Sequence, residues 1–288
     1  MAYKFDPNDK TTNLSDNIFF ISVGTIRKNI GDLGMKTLQI LAYEGISEEP
    51  ELINAVRNVI LFSTGKPVSE DSIRRSIQSL WSNGLIERKE VNTGVRRFHI
   101  LKLLSNGKMF ANHFFDKTPV ESEWEELERE HASVEHGYLI KDTKKILEEK
   151  GVYDSITTGR TENRVRISDD RSCIPDIACT LGDGCDFYEV ECGTHNQKDF
   201  DYKCDKLIRL TKILIFVSQN RYVLKKTITK QVEHWIGKVG REKLKALGRK
   251  VYLTTLKDLQ NNKWTYIYDM TMDEPICCFG KKKGGEGL

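Results

Sequence analysis

The sequence predicts a two-part α+β chain, a small helical unit closed by a β-hairpin and then a larger α/β unit. Three observations predict it. Helical periodicity ends at Asn83-Gly84 and gives way to two short β-prone segments around Asn92-Thr93-Gly94. A nearly continuous apolar run, Ile213-Leu214-Ile215-Phe216-Val217, suits a strand buried on both faces. Ahead of that run, Pro175-Asp176 and Glu189-Val190-Glu191 place acids on strand-like segments. A chain of 288 residues is long enough for two domains, each with its own core.

The first part reads in order. Residues 1–30 carry one apolar run, Ile18 to Val23, and few other periodic signals. Leu33, Met35, Leu38, Ile40 and Leu41 predict a short helix to Tyr43. Leu52, Val56, Ile60 and Leu61 predict a second helix from Glu51 to Phe62. Ser63 to Pro67 form a boundary, and Ser69 then caps a third helix with Glu70 and Asp71 in its first turn. That helix turns Ile73, Ile77 and Leu80 inward and Arg74, Arg75 and Gln78 outward. Leu85–Glu90 and Val95–Leu101 are the hairpin strands, and a further helix begins near Leu104.

Helix, helix, helix, hairpin, helix, with Gly84-Leu85-Ile86-Glu87-Arg88 closing the third helix, resembles the winged helix-turn-helix domains of bacterial regulators over about residues 31–115. Residues 66–108 hold nine Lys or Arg against four Asp or Glu. Their clustering on the third helix and the hairpin is the electrostatic footprint expected for DNA contact. The resemblance implies that these two elements face DNA, with Arg74, Arg75, Gln78, Arg88, Lys89, Arg96 and Arg97 as the candidate contacts. The first domain is expected over residues 1–117.

Residues 121–130 carry six glutamates and one arginine, which predicts a solvated acidic linker helix over 118–132. The second domain, 133–280, opens on an amphipathic helix from Val134 to Lys150, with Tyr138, Leu139, Ile146 and Leu147 on one face and Gly151 as its stop. Short strands are expected at 152–154 and 165–167. Gly182-Asp183-Gly184 turns a hairpin between a strand starting at Ile174 and a strand Phe187–Cys192. A helix over 198–211, the buried strand, a helix near 225–236 and a strand 251–256 complete an α/β sandwich. Residues 281–288 read as a basic tail.

The alternation of a strand sends Glu189 and Glu191 to one face and Val190 to the other. Acids at i and i+2 on an apolar strand are costly to bury unless they bind something. Together with Asp176 they suit a hard cation, Mg²⁺ or Mn²⁺. The element order over about residues 133–260, with Pro175-Asp176 and Glu189-Val190-Glu191, resembles the PD-(D/E)xK phosphodiesterase superfamily, whose domain is the restriction-endonuclease-like α/β fold. The last motif position is usually lysine and here is Glu191, as in superfamily members that use E-x-E. Others supply the lysine from the following helix, where Lys203 and Lys206 lie three apart. Glu135-His136, the acids with Cys192-Gly193-Thr194, and Lys206-Leu207 also resemble the replication-relaxation family of plasmids and integrative elements.

What the resemblance implies is a metal-dependent DNA endonuclease. Asp176, Glu189 and Glu191 would hold the metal, with Glu191 also holding the attacking water. Glu135 would complete the outer site, and Lys203 or Lys206 would neutralise the scissile phosphate. The alternative is a catalytically silent DNA-binding accessory or regulatory protein of a mobile element. His136 could equally orient an acid or the substrate or be structural, and His195 is a weaker candidate. Double-strand cutting needs two active sites, which a homodimer would supply.

Composition sets limits. No apolar run is long enough to span a bilayer and no leader segment is visible, so a cytoplasmic protein without a membrane partner is expected. Seven cysteines, an odd number without a paired CxxC, are expected as reduced thiols. Cys173, Cys179, Cys185 and Cys192 read as small buried hydrophobes rather than zinc ligands.

Overall fold

The computed structural model describes residues 14–131, 133–159, 163–168, 171–272 and 276–277. The first thirteen residues and the expected basic tail 281–288 lie outside the described residues. The fold is mixed α+β, in two units: Met1–Glu90 with Phe98–Glu126, and Val91–Arg97 with Leu127–Leu288. No described helix is long and apolar enough to cross a membrane.

The chain first forms α1 (Leu14–Glu44), α2 (Glu49–Thr64), α3 (Glu70–Ser82), β1 (Ile86–Asn92), β2 (Arg97–Leu103), α4 (Ser105–Phe115) and α5 (Glu123–Glu130). The expected helix from Leu33 is the second half of α1. Gly31, at φ 64° and ψ −175°, breaks the helical backbone in front of it. Leu38, Leu52, Ile73, Leu80, Leu101 and Phe110 meet in the core of the first unit. Inside that apolar core Thr37 and Ser76 share a 2.9 Å hydroxyl contact, and each hydroxyl oxygen also lies 2.8 Å from a carbonyl of its own helix. The Ser69 side chain accepts from the Ser72 amide, capping α3 as its sequence requires.

The two units depart from the expected boundaries at two places. The expected acidic segment 118–132 holds α5, with Glu126, Glu128 and Arg129 exposed. Trp124 is buried to 1%, its amide donates to Ser47 Oγ, and Lys102 lies over its ring, so residues up to Glu126 belong to the first unit. Ser122 and Glu125 cap the start of α5 reciprocally, the Ser122 amide donating to Glu125 Oε2 at 2.9 Å and the Glu125 amide to Ser122 Oγ at 3.4 Å. Conversely, the hairpin turn Val91–Arg97 packs as part of the second unit. Buried Asp142 accounts for this, accepting from Thr93 Oγ1 at 2.5 Å and from Arg96 at 2.7–3.0 Å.

The second unit continues with α6 (Val134–Lys150), β3 (Ser155–Thr157), β4 (Val165–Ser168), β5 (Arg171–Cys173), β6 (Ile177–Leu181), β7 (Gly184–Glu191), α7 (Gln197–Leu207) and β8 (Ile213–Ser218). One helical rod then joins α8 (Arg221–Val223), a π-helical turn (Leu224–Ile228) and α9 (Thr229–Val239). It is followed by α10 (Arg241–Ala246), β9 (Lys250–Thr255), α11 (Leu256–Gln260), β10 (Tyr266–Asp269) and β11 (Ile276–Cys277). Among the described residues the main sheet runs β11-β10-β9-β8-β7-β6-β3, with β7–β8 and β8–β9 parallel and the other pairs antiparallel.

Both faces of the sheet are covered. Leu214 and Phe216 of β8 join Phe187, Phe200, Leu207 and Trp235 on the face toward α7 and α9. Ile215 and Val217 join Tyr188, Val190, Leu139 and Leu147 on the face toward α6. A strand with apolar side chains in both cores must be central, which is why β8 reads as an unbroken apolar run.

Candidate functional site

The antiparallel pairing of β6 with β7, Ile177 opposite Tyr188, brings Asp176 beside the end of β7. Asp176 Oδ2 accepts the Val190 amide at 2.9 Å. Phe187 of β7 packs in the core under α7, while Tyr188 and Val190 pack under α6. The period of two therefore turns Glu189 and Glu191 toward α7. Both are 1% exposed.

Lys203 rises from α7 into this cluster. Its Nζ contacts Glu189 Oε2 and lies 3.4 Å from Asp176 Oδ2 and 3.6 Å from Glu191 Oε1. Lys206, one turn on, instead donates to the Ser172 carbonyl at 3.1 Å and sits 4.2 Å over the Tyr202 ring. Of the two lysines that spacing left open, only Lys203 reaches the acids. Glu135 lies in the first turn of α6, partly buried, and close enough to Cys192 to help raise its thiol.

Two histidines complete the cluster. His136 Nε2 lies 2.9 Å from the Val190 carbonyl, so it carries the proton, and it stands 3.4 Å from Asp176 Oδ2. His195 Nδ1 donates to Glu191 Oε2 at 2.9 Å. The sequence leaves His136 even between an orienting and a structural role and His195 weaker still, because a lone histidine carries no periodic signal. Their positions next to the acid strand and at the cap of α6 were the available clue.

The electrostatics follow from one ammonium among three carboxylates. Burial alone would raise Asp176, but Lys203, His136 and the Val190 amide outweigh it and hold the carboxyl well below the usual range. Glu189 goes the other way. Burial, then repulsion from Asp176 and Glu191, raise it well above the ordinary value despite Lys203. Burial opposes the charge on Lys203, yet the three acids keep it protonated far above the usual lysine range. Hydrogen bonding to Glu191 raises His195 against the effect of its partial burial. Cys192 is pushed up to about 12 by burial and by Glu191, Glu135 and Asp176, so it is no nucleophile near neutral pH.

A cleft of about 260 Å³ opens here, lined by Asp176, Lys203, His136, His195, Pro175 and Ile174 among others. Among the described residues, no group of three or more His, Cys, Asp or Glu side chains is arranged to hold a metal ion. The expected set of Asp176, Glu189 and Glu191 falls short for a visible reason: the Lys203 ammonium stands among their oxygens. The donor chemistry still fits a hard cation. Glu189 Oε1 and Glu191 Oε1 are buried without a hydrogen bond, and orphaned carboxyl oxygens are the donors a hard cation takes up.

The candidate DNA contacts of the first unit divide. Arg75, Gln78 and Arg97 are exposed. Arg74 and Arg88 converge on buried Glu49, at 2.9 and 2.7 Å, and Arg88 also meets His99. Lys89 is half-buried on β1. Arg96 is held in the second unit by Asp142, so its charge is spent on a structural fork rather than left for phosphate. Charge counting could not separate these roles, because Glu49 and Asp142 lie far away in sequence.

No protein-family model matches this chain, and no curated protein matches it.

Proposed function

We propose that the chain is a metal-dependent endonuclease that hydrolyses phosphodiester bonds in DNA, with a winged helix in its first unit recruiting it to the substrate. The observation that carries the reading is the meeting of Asp176, Glu189, Glu191 and Lys203 below an open cleft. Two buried carboxyl groups and a third at the cleft around a single lysine form an expensive arrangement with no packing purpose of its own. Lys203 supplies from α7 the cation that the motif lacks at Glu191, as the resemblance to the PD-(D/E)xK superfamily leads one to expect of the helix after the acid strand.

Asp176, Glu189 and Glu191 would hold Mg²⁺ or Mn²⁺. Such an ion, when bound, neutralises phosphate charge and acidifies a water. The chain's own groups do the rest. The Val190 amide and His136 fix the Asp176 carboxylate, and Lys203 offers positive charge to the scissile phosphate. His195 orients Glu191, whose carboxylate is the candidate to hold the attacking water. Cutting both strands needs a second site, which a homodimer would provide.

A second reading rests on a specific observation. Lys203 stands where the carboxylates converge, which also suits a silent DNA-binding accessory or regulatory protein of a mobile element. Supercoiled plasmid with Mg²⁺ or Mn²⁺ separates the two. Nicking by the wild type, lost in both Asp176→Ala and Glu191→Ala, supports the enzyme. Salt-sensitive DNA binding without any cleavage supports the accessory protein, and cleavage that survives both substitutions removes the site.

A further inference from the structure

Residues 206–232 hold seven Lys or Arg and no Asp or Glu, a basic stretch outside the elements to which DNA contact was assigned. Its last part is the α8–π–α9 rod. Leu224, Ile228, Val232 and Trp235 anchor the rod in the core. Tyr222, Lys226 and Lys230, each four residues after the last, are all exposed, with exposed Lys225 beside them. Among the described residues, no ion pair or hydrogen bond engages the side chains of Lys225, Lys226 or Lys230. Arg221, by contrast, is forked onto Asp258 at 2.9 and 3.2 Å. Tyr222 is 73% exposed, and its ring stands among these lysines.

The rod also touches the loop that leaves the carboxylate strand. Gly193, two residues after Glu191, has φ 77°, and a Cβ there would come within 2.7 Å of Val223 Cγ1 and 3.5 Å of Thr227. Gln231 donates to the His195 carbonyl at 2.8 Å. Val223, Thr227 and Gln231 form the row next to Tyr222, Lys226 and Lys230, so the basic row is one residue removed from the row that props the site loop.

We infer that Tyr222, Lys225, Lys226 and Lys230 form a strand-tracking surface, which grips an unpaired nucleic-acid strand beside the carboxylate cleft. Lysines spaced along a helix meet successive phosphates, and an exposed tyrosine among them offers a face to a base, the pairing of features that binds single strands. The inference rests on the reading of the cleft as a phosphodiester site and names the substrate form it takes.

The test is fluorescence anisotropy with a labelled single-stranded oligonucleotide and the matching duplex, over a salt series. All proteins carry Asp176→Asn and no divalent ion is added, so a chain that cuts nothing still returns a binding answer. Changing Lys225, Lys226 and Lys230 to Gln is expected to lower the salt slope for the single strand by about two. Tyr222→Ala is expected to weaken the single strand about 5-fold or more while sparing the duplex. Lys243→Gln with Lys245→Gln, exposed on α10, serves as the charge control and is expected to leave the slope in place. An unchanged slope in the triple variant at an unchanged melting temperature overturns the inference. So does an equal loss in the control, or a Tyr222 effect that is the same on duplex and single strand.

Discussion

Lys203 is the residue on which the site turns. It is the common partner of three carboxylates, two of them almost wholly enclosed. Removing one partner of a buried ionic cluster leaves uncompensated charge. Lys203→Ala is therefore expected to cost about 3 kcal/mol at neutral pH, read as a lowered denaturation midpoint. Lys206→Ala, which loses a carbonyl contact and a ring contact near the surface, should cost less than about 1 kcal/mol. His195 gives a pH signature. Its pKa is raised in the folded chain by Glu191, so its contribution to stability is fully present below the ordinary imidazole value near 6.5 and is lost as pH rises through the raised one. The melting temperatures of wild type and His195→Gln should differ most near pH 6 and converge in the alkaline range. A constant gap across that range would mean the histidine acts by packing alone.

At the scale of elements, α4 offers a sharp test of packing. Gly107 brings α4 so close to the preceding segment that a Cβ there would overlap the Leu85 carbonyl oxygen. Gly107→Ala should therefore destabilise by more than 1 kcal/mol, although alanine favours helices by roughly that amount, and urea titration checks it. Elements with local signals were legible in the sequence. The apolar run gave β8, Ser69 gave the start of α3, and Gly151 with φ 61° gave the end of α6. The period of two placed Glu189 and Glu191 on one face, but which helix covers that face is a long-range fact. Spacing therefore left Lys203 and Lys206 equal until α7 was seen over the Phe187 side of β7. The Asp142 fork was illegible for the same reason, its partners Thr93 and Arg96 lying 49 and 46 residues away. In the glutamate-rich stretch the acids are exposed or half-exposed, and composition hides the one buried ring among them, Trp124.

For the whole molecule, a net charge of +3 conceals an acidic cluster, a basic helix face and several arginines already committed to internal carboxylates. A hard cation should relieve the excess negative charge of the cluster. Mg²⁺ at ten times its dissociation constant would add about 1.4 kcal/mol of stability by mass action. A melting temperature that rises with Mg²⁺ in the wild type but not in Asp176→Ala would register this binding without any cleavage assay. If the carboxylate cluster with Lys203 hydrolyses phosphodiesters, Lys203 must act on the scissile phosphate. The most direct test is the rate at which wild type, Lys203→Ala and Lys206→Ala nick supercoiled plasmid at saturating Mg²⁺. Loss of a group placed to stabilise transition-state charge costs about 100-fold or more, so that loss is expected for Lys203→Ala and near wild-type rates for Lys206→Ala. Undiminished nicking by Lys203→Ala would contradict it.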